Sequence, residues 1–89
     1  MVEAATLSAY VEASRGSVME YIRVDFDLHD IRDVLANGNV VGQTETELTL
    51  PSNYYVITLS GDGYAPPSWS GVVAGTLPGN PQRIRFTKI

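Results

Sequence analysis

The stretch that decides the fold is Glu47 to Tyr64, ELTLPSNYYVITLSGDGY. Large apolar side chains fall on every second position at Tyr55, Ile57 and Leu59, while Val56, Thr58 and Ser60 take the other face. A period of two is that of a half-buried strand, not a helix. Leu48 and Leu50 give a shorter strand with the same period before it. Between the two, Pro51 and Asn53 suit a tight reversal, proline by its fixed φ and asparagine by its tolerance of a left-handed backbone. Gly61-Asp62-Gly63 punctuates the far end and hands the chain to Tyr64.

Upstream, Ile22, Val24, Phe26 and Leu28 alternate with Tyr21, Arg23, Asp25 and Asp27, which predicts one long amphipathic strand over 17–28. Ile31 to Ala36 reads as a second strand whose broken alternation is reconciled by a one-residue bulge near Asp33. Asn37-Gly38 accepts positive φ at both central positions and predicts a type I′ hairpin. The first sixteen residues carry two readings. Alternation from Ala5 to Ala13 reads as a strand and is preferred, whereas Leu7 and Val11 on one face with Gly16 behind them read as a short helix.

Downstream, Pro66 and Pro67 place 61–67 in a loop, since neither can donate to a ladder. Trp69 to Ala74 reads as a short strand, 75–81 as an open loop, and Gln82 to Ile89 as a closing strand. Short strands at this spacing predict an all-β fold, an antiparallel β-sandwich of about seven strands with a prealbumin-like or Ig-like layout, in one domain spanning 1–89. Its expected core is Val24, Phe26, Val34, Leu48, Leu50, Tyr55, Ile57, Leu59, Val72, Ile84 and Phe86.

Bulk composition narrows the function classes. Eighty-nine residues make a single core that buries only about 60% of the unfolded surface. Ten acidic against six basic residues give a net charge of −4, and the basic ones are scattered. Phosphate contacts supply most nucleic-acid affinity, so a nucleic-acid partner is not expected. There is no cysteine, hence no disulfide framework and no thiolate metal site. No apolar run is long enough to span a bilayer, and the N-terminus lacks the basic start of a signal peptide, so membrane insertion is not expected. An envelope or extracellular location would require a longer exported protein around this chain.

Asn37-Gly38, Gly42-Gln43-Thr44, Leu50-Pro51-Ser52-Asn53, Tyr55-Val56-Ile57 and Gly63-Tyr64 occur in that order. In this run the chain, over about 31–87, resembles PEGA-type β-sandwich modules, with the first strands as an addition. Glu45 stands where that pattern has proline and Asn53 where it has glycine. The resemblance implies a non-catalytic accessory module attached to larger envelope or surface proteins, with no catalytic residues to carry over and no cofactor.

Three constellations invite a chemical reading. Asp25, Asp27, Asp30 and Asp33 offer hard oxygen ligands, but strand carboxylates two residues apart sit about 7 Å from each other, too spread for one calcium ion. A solvated strand face is the plainer reading, and no metal is expected. His29 has neither a second histidine nor a nucleophile setting, so a hydrolase built on His29 and Asp30 lacks parts and no enzyme is expected. The third is the aromatic-proline loop. Tyr64 and Trp69 present faces that stack on sugars or docked chains, and Asp62, Ser68 and Asn53 supply hydrogen bonds at the turns. The competing reading puts the Trp69 ring in the core. The expected partner is a protein or a polysaccharide, with self-association through an edge strand (83–89 or the N-terminal strand) as the structural alternative.

Overall fold

The computed structural model describes residues 19–89, and the N-terminal strand-or-helix question lies outside them. The described chain is all β, with no helix. Its strands are β1 (Met19–Asp25), β2 (Asp33–Ala36), β3 (Asn39–Gln43), β4 (Glu47–Pro51), β5 (Asn53–Leu59), β6 (Tyr64–Ala65), β7 (Trp69–Val73), β8 (Gln82–Arg85) and β9 (Thr87–Lys88). They form a three-stranded sheet in the order β4-β1-β8, a four-stranded sheet β3-β2-β5-β7, and a ribbon β6-β9. All pairs are antiparallel except β1 with β8, which run parallel, a departure from the uniformly antiparallel expectation.

The Asn37-Gly38 hairpin is as expected. Both residues have positive φ, 51° and 85°, and β2 pairs back with β3 across them. The organising stretch is built differently. Asn53 is not left-handed, and β4 and β5 are not partners, because they lie in different sheets. Pro51-Ser52-Asn53 is therefore a corner between sheets, where a hairpin was expected. Three hydrogen bonds hold it: Tyr55 Oη donates to the Pro51 carbonyl (2.7 Å), Ser52 Oγ to Val73 O (3.3 Å), and Tyr54 N to Asn53 Oδ1 (2.7 Å).

The inner faces of both large sheets share one core of Ile22, Val24, Val34, Ala36, Leu48, Leu50, Tyr55, Ile57, Leu59, Val73, Ile84 and Phe86. Three sequence expectations need correction. Val72 is 65% exposed and Val73 fully buried, because Trp69 and Gly71 set the inward phase of β7. Strand β1 ends at Asp25 after seven residues, and Leu28 is exposed on a turn closed by Asp30 N donating to Asp27 O (3.0 Å). Phe26 is consequently only half-buried against the core. The bulge sits not at Asp33 but on β3, where pairing jumps from Val34–Gly42 to Leu35–Val40 and leaves Val41 over.

One residue of β3 and one in the link that follows explain local choices. A Cβ on Gly42 would lie 2.3 Å from Leu48 Cδ2, so only glycine lets β3 pass this close to β4. Glu45 has φ 66°, its N–H donates to Val24 O (2.9 Å), and its carboxylate accepts from Phe26 N (2.6 Å). Proline, with fixed negative φ and no N–H, could not stand there. The closing segment is two strands, not one. Phe86 breaks it, buried, with its N–H donating to Asp25 O (2.9 Å), and Lys88 turns outward on β9.

At the Met19 end, the buried Glu20 carboxylate accepts hydrogen bonds from Thr76 N (2.8 Å) and the Thr76 hydroxyl, and Thr76 Oγ1 accepts from Tyr21 N (2.7 Å). The Thr76 hydroxyl, foremost, and then the backbone donors hold the Glu20 carboxyl below its ordinary value against the effect of burial. The link from β7 to β8 is thus latched to β1.

Candidate functional site

The aromatic-proline loop lies at the opposite end, where β5 runs out. The Tyr64 hydroxyl donates to Leu59 O (3.1 Å) and accepts from Leu59 N (3.4 Å), and its ring meets Phe86 edge-on, with centroids 5.4 Å apart. Trp69 pairs with Ile57, faces inward and is half-buried. Its ring lies over Gly71, where an added Cβ would sit 3.2 Å from Cζ2 and Cη2. Pro66, Pro67 and Ser68 are exposed between them, after a cis Ala65–Pro66 peptide. Asp62 is exposed too, and its carbonyl is bound by Arg32. Asn53 does not join this group: it pairs with Val73, four residues along β5 from Ile57, or about 13 Å away.

What secures this end is Arg32, one of the basic residues that the sequence reading counted only as scattered. Its Nε and Nη2 donate to the two oxygens of Asp30 (2.9 Å each), and its Nη1 donates to Ser60 O (2.9 Å) and Asp62 O (2.8 Å). The guanidinium stands 5.1 Å over the Phe26 ring. Lys88 Nζ reaches Asp30 at 3.1 Å and Asp27 at 4.0 Å. Arg32 first and Lys88 second hold the Asp30 carboxyl far below the usual carboxylate range, and Asp30 in turn raises Arg32. A forked donor on a carboxylate is the strong form of such a bond. The only sequence signal for it was the Asp-x-Arg spacing at the end of a turn.

The acidic series is therefore not a bare strand face. Asp25 accepts from Arg23 Nε (3.0 Å) and Arg83 Nη1 (3.3 Å), while Asp27 and Asp30 face Lys88 and Arg32. No group of three or more His, Asp or Glu side chains among the described residues is placed to hold a metal ion. His29 sits on the exposed turn with its backbone N–H donating to Asp27 Oδ1 (2.7 Å). The Asp30 carboxylate beside it is occupied by cations.

An open cleft of about 370 Å³ lies on the three-stranded sheet, lined by Arg23, Glu47, Gly79, Asn80, Pro81 and Arg83. Its charges are largely spent internally: Arg23 on Asp25 and Glu45, and Glu47 on the Gly79 N–H (3.1 Å).

The outer face of the four-stranded sheet is different. Register puts Val40, Leu35 and Thr58 in one row, Val56 and Ser70 in the next, and Tyr54 and Val72 in a third. Val40 is 62% exposed, Tyr54 53%, Val56 38% and Val72 65%. From Leu48 to Gln82 the single charged residue is Asp62, so β5 and β7 carry none. Sequence reasoning passed over Tyr54, though it sits on the outward phase of the strand that reasoning chose as central.

Among the described residues no helix is long and apolar enough to cross a membrane. No family model matches the chain, and neither does any curated protein or solved structure.

Proposed function

We propose that the two sheets form a β-sandwich of prealbumin-like or Ig-like kind that serves as a non-catalytic docking module. Its contact surface is the outer face of the four-stranded sheet, whose one charged residue is Asp33 at the start of β2, and its partner is a protein. The observation that carries this is the convergence of Tyr54, Val56, Val72 and Val40, all exposed, on neighbouring rows of one face. Contiguous exposed apolar surface marks interaction sites, whereas isolated apolar residues do not. Tyrosine in such a patch is a frequent energetic anchor.

The resemblance to PEGA-type modules supports the same reading, since it implies an accessory domain carried by larger envelope or surface proteins. A polysaccharide docked on Tyr64 and Trp69 is the second reading, favoured by the exposed Pro66, Pro67 and Ser68 beside a half-buried Trp69. Trp69 is already covered on one side by Gly71, and Tyr64 by Phe86, which leaves each ring less free surface for a sugar.

Hydroxyl-radical footprinting separates the two. Comparing the protein in its native extract with the purified chain, we expect Tyr54 to be protected in the extract while Tyr64 and Trp69 react equally in both. Protection confined to Tyr64 and Trp69, with Tyr54 equally reactive, would overturn the docking reading in favour of the loop.

A further inference from the structure

The two large sheets present four edge strands: β4 and β8 in one, β3 and β7 in the other. An open edge is a row of unpaired backbone donors and acceptors, and proteins blunt such edges with charge, proline, bulges or shortness. Three of the four are blunted here. Strand β4 carries Glu47 and ends in Pro51, β8 is four residues with Arg83 and Arg85, and β3 is bulged at Val41. Strand β7, Trp-Ser-Gly-Val-Val, has none of these devices, and it pairs with β5 in unbroken register over all five residues. Among the described residues, the only hydrogen bond to its backbone from outside that pairing is the one from Ser52 Oγ to Val73 O.

We infer that β7 is a strand-addition site whose occupant is the β7 of a second copy of this chain, paired antiparallel about Gly71 so that two four-stranded sheets join into one of eight. The inference rests on the docking reading in that both use the uncharged strands β5 and β7. Charge decides the occupant. A two-fold interface sets each patch against itself, so any net charge on it meets its like. Each chain carries −4 overall, but β7 and its neighbour β5 carry nothing. Two copies can approach along this edge without facing like charges, whereas β8 would bring Arg83 and Arg85 against another such pair. About Gly71 the strand is nearly self-complementary: Ser70 opposes the copy's Val72, Trp69 opposes the copy's Val73, and Gly71 opposes its counterpart. The outward Val72 and Tyr54 rows of the two copies become continuous. The sequence alone pointed to an edge at 83–89 or the N-terminal strand for self-association, whereas the edge inferred here is β7.

The test uses the full chain. Sedimentation velocity across concentration should show a mass rising from one chain to two. Ser70 and Val72 are both exposed, so paired charges there do not disturb the core. The double variant S70K/V72K alone, and S70E/V72E alone, should each stay monomeric at concentrations where the parent dimerises, and an equimolar mixture should recover the dimer. Because the chain lacks cysteine, S70C and V72C can be mixed for cross-linking. Directly opposed side chains have Cβ atoms about 5 Å apart, whereas a V56C pair would be three strand spacings and two residues along the strand, about 16 Å, apart. We expect the mixed S70C–V72C link to dominate and V56C to give none. A mass that stays at one chain at every concentration would overturn the inference. So would a dimer indifferent to the charge pairs. Either outcome leaves the docking face itself to the footprinting result, so the two failures are distinguishable.

Discussion

The outer faces of the two large sheets are finished in different ways. On the three-stranded sheet Arg23, Asp25, Glu47, Arg83 and Arg85 point outward, and Asp25 ties Arg23 to Arg83 across the parallel pair. On the four-stranded sheet β5 and β7 show Tyr54, Val56, Thr58, Ser70 and Val72, with Asp33 on β2 as the nearest charge. The inner faces are alike, both built on a period of two with buried aliphatic residues. Period therefore places the core, while composition at the alternate positions decides which outer face is ionic and which is apolar.

The sharpest way to break that contrast is to compare neighbours on β5. Ile57 is fully buried, so Ile57→Ala should cost about 2–5 kcal/mol in a denaturant melt, whereas Val56→Ala beside it should stay within about 0.5 kcal/mol. Equal costs would mean that the outer face is covered within the folded chain. Next in size is Gly42→Val: the added carbons meet buried Leu48, and overpacking of this kind costs about 1–3 kcal/mol, read as a lower midpoint at unchanged slope. The smallest of the substitutions is Arg85→Gln on the ionic face, where no described residue pairs with the guanidinium and the effect should be within about 0.5 kcal/mol.

Acid sharpens the contrast from the other side. Glu20 and Asp30 both have folded values below their ordinary 4.5 and 3.8. A depressed carboxyl adds stability that is present above its unfolded value and lost as pH falls through the folded one. The thermal midpoint should accordingly hold from pH 7 to about 5 and decline below about 4.5. Glu20→Gln should remove part of that acid slope, and Val56→Ala should leave the slope intact.

The fold was largely readable because strands with one buried face announce themselves by alternation. Tyr55, Ile57 and Leu59, and Ile84 with Phe86, kept their expected sides. The failures are of two physical kinds. Where two like residues stand together, as in Val72-Val73, the pair has no phase of its own, and Trp69 and Gly71 earlier in the same strand supply it. Where a turn residue serves two geometries, as at Pro51-Ser52-Asn53, only tertiary packing chooses between a hairpin and a corner. The site was harder to read. Arg32 binds groups at Asp30, Ser60 and Asp62, and separations of up to thirty residues leave no local pattern. Tyr54 was hidden by success: it is the polar-phase neighbour of the core residue Tyr55, and a face uncharged on two adjacent strands is visible only once those strands are known to be neighbours.

The most direct test of that apolar face is methyl and aromatic NMR of the purified chain titrated with a neutral soluble nitroxide, which gathers on exposed apolar surface. The account predicts the strongest signal loss at the Val56 and Val72 methyls and the Tyr54 ring, with little at Tyr21 on the opposite sheet. Even loss over both faces, or protection of Tyr54 and Val72, would contradict it.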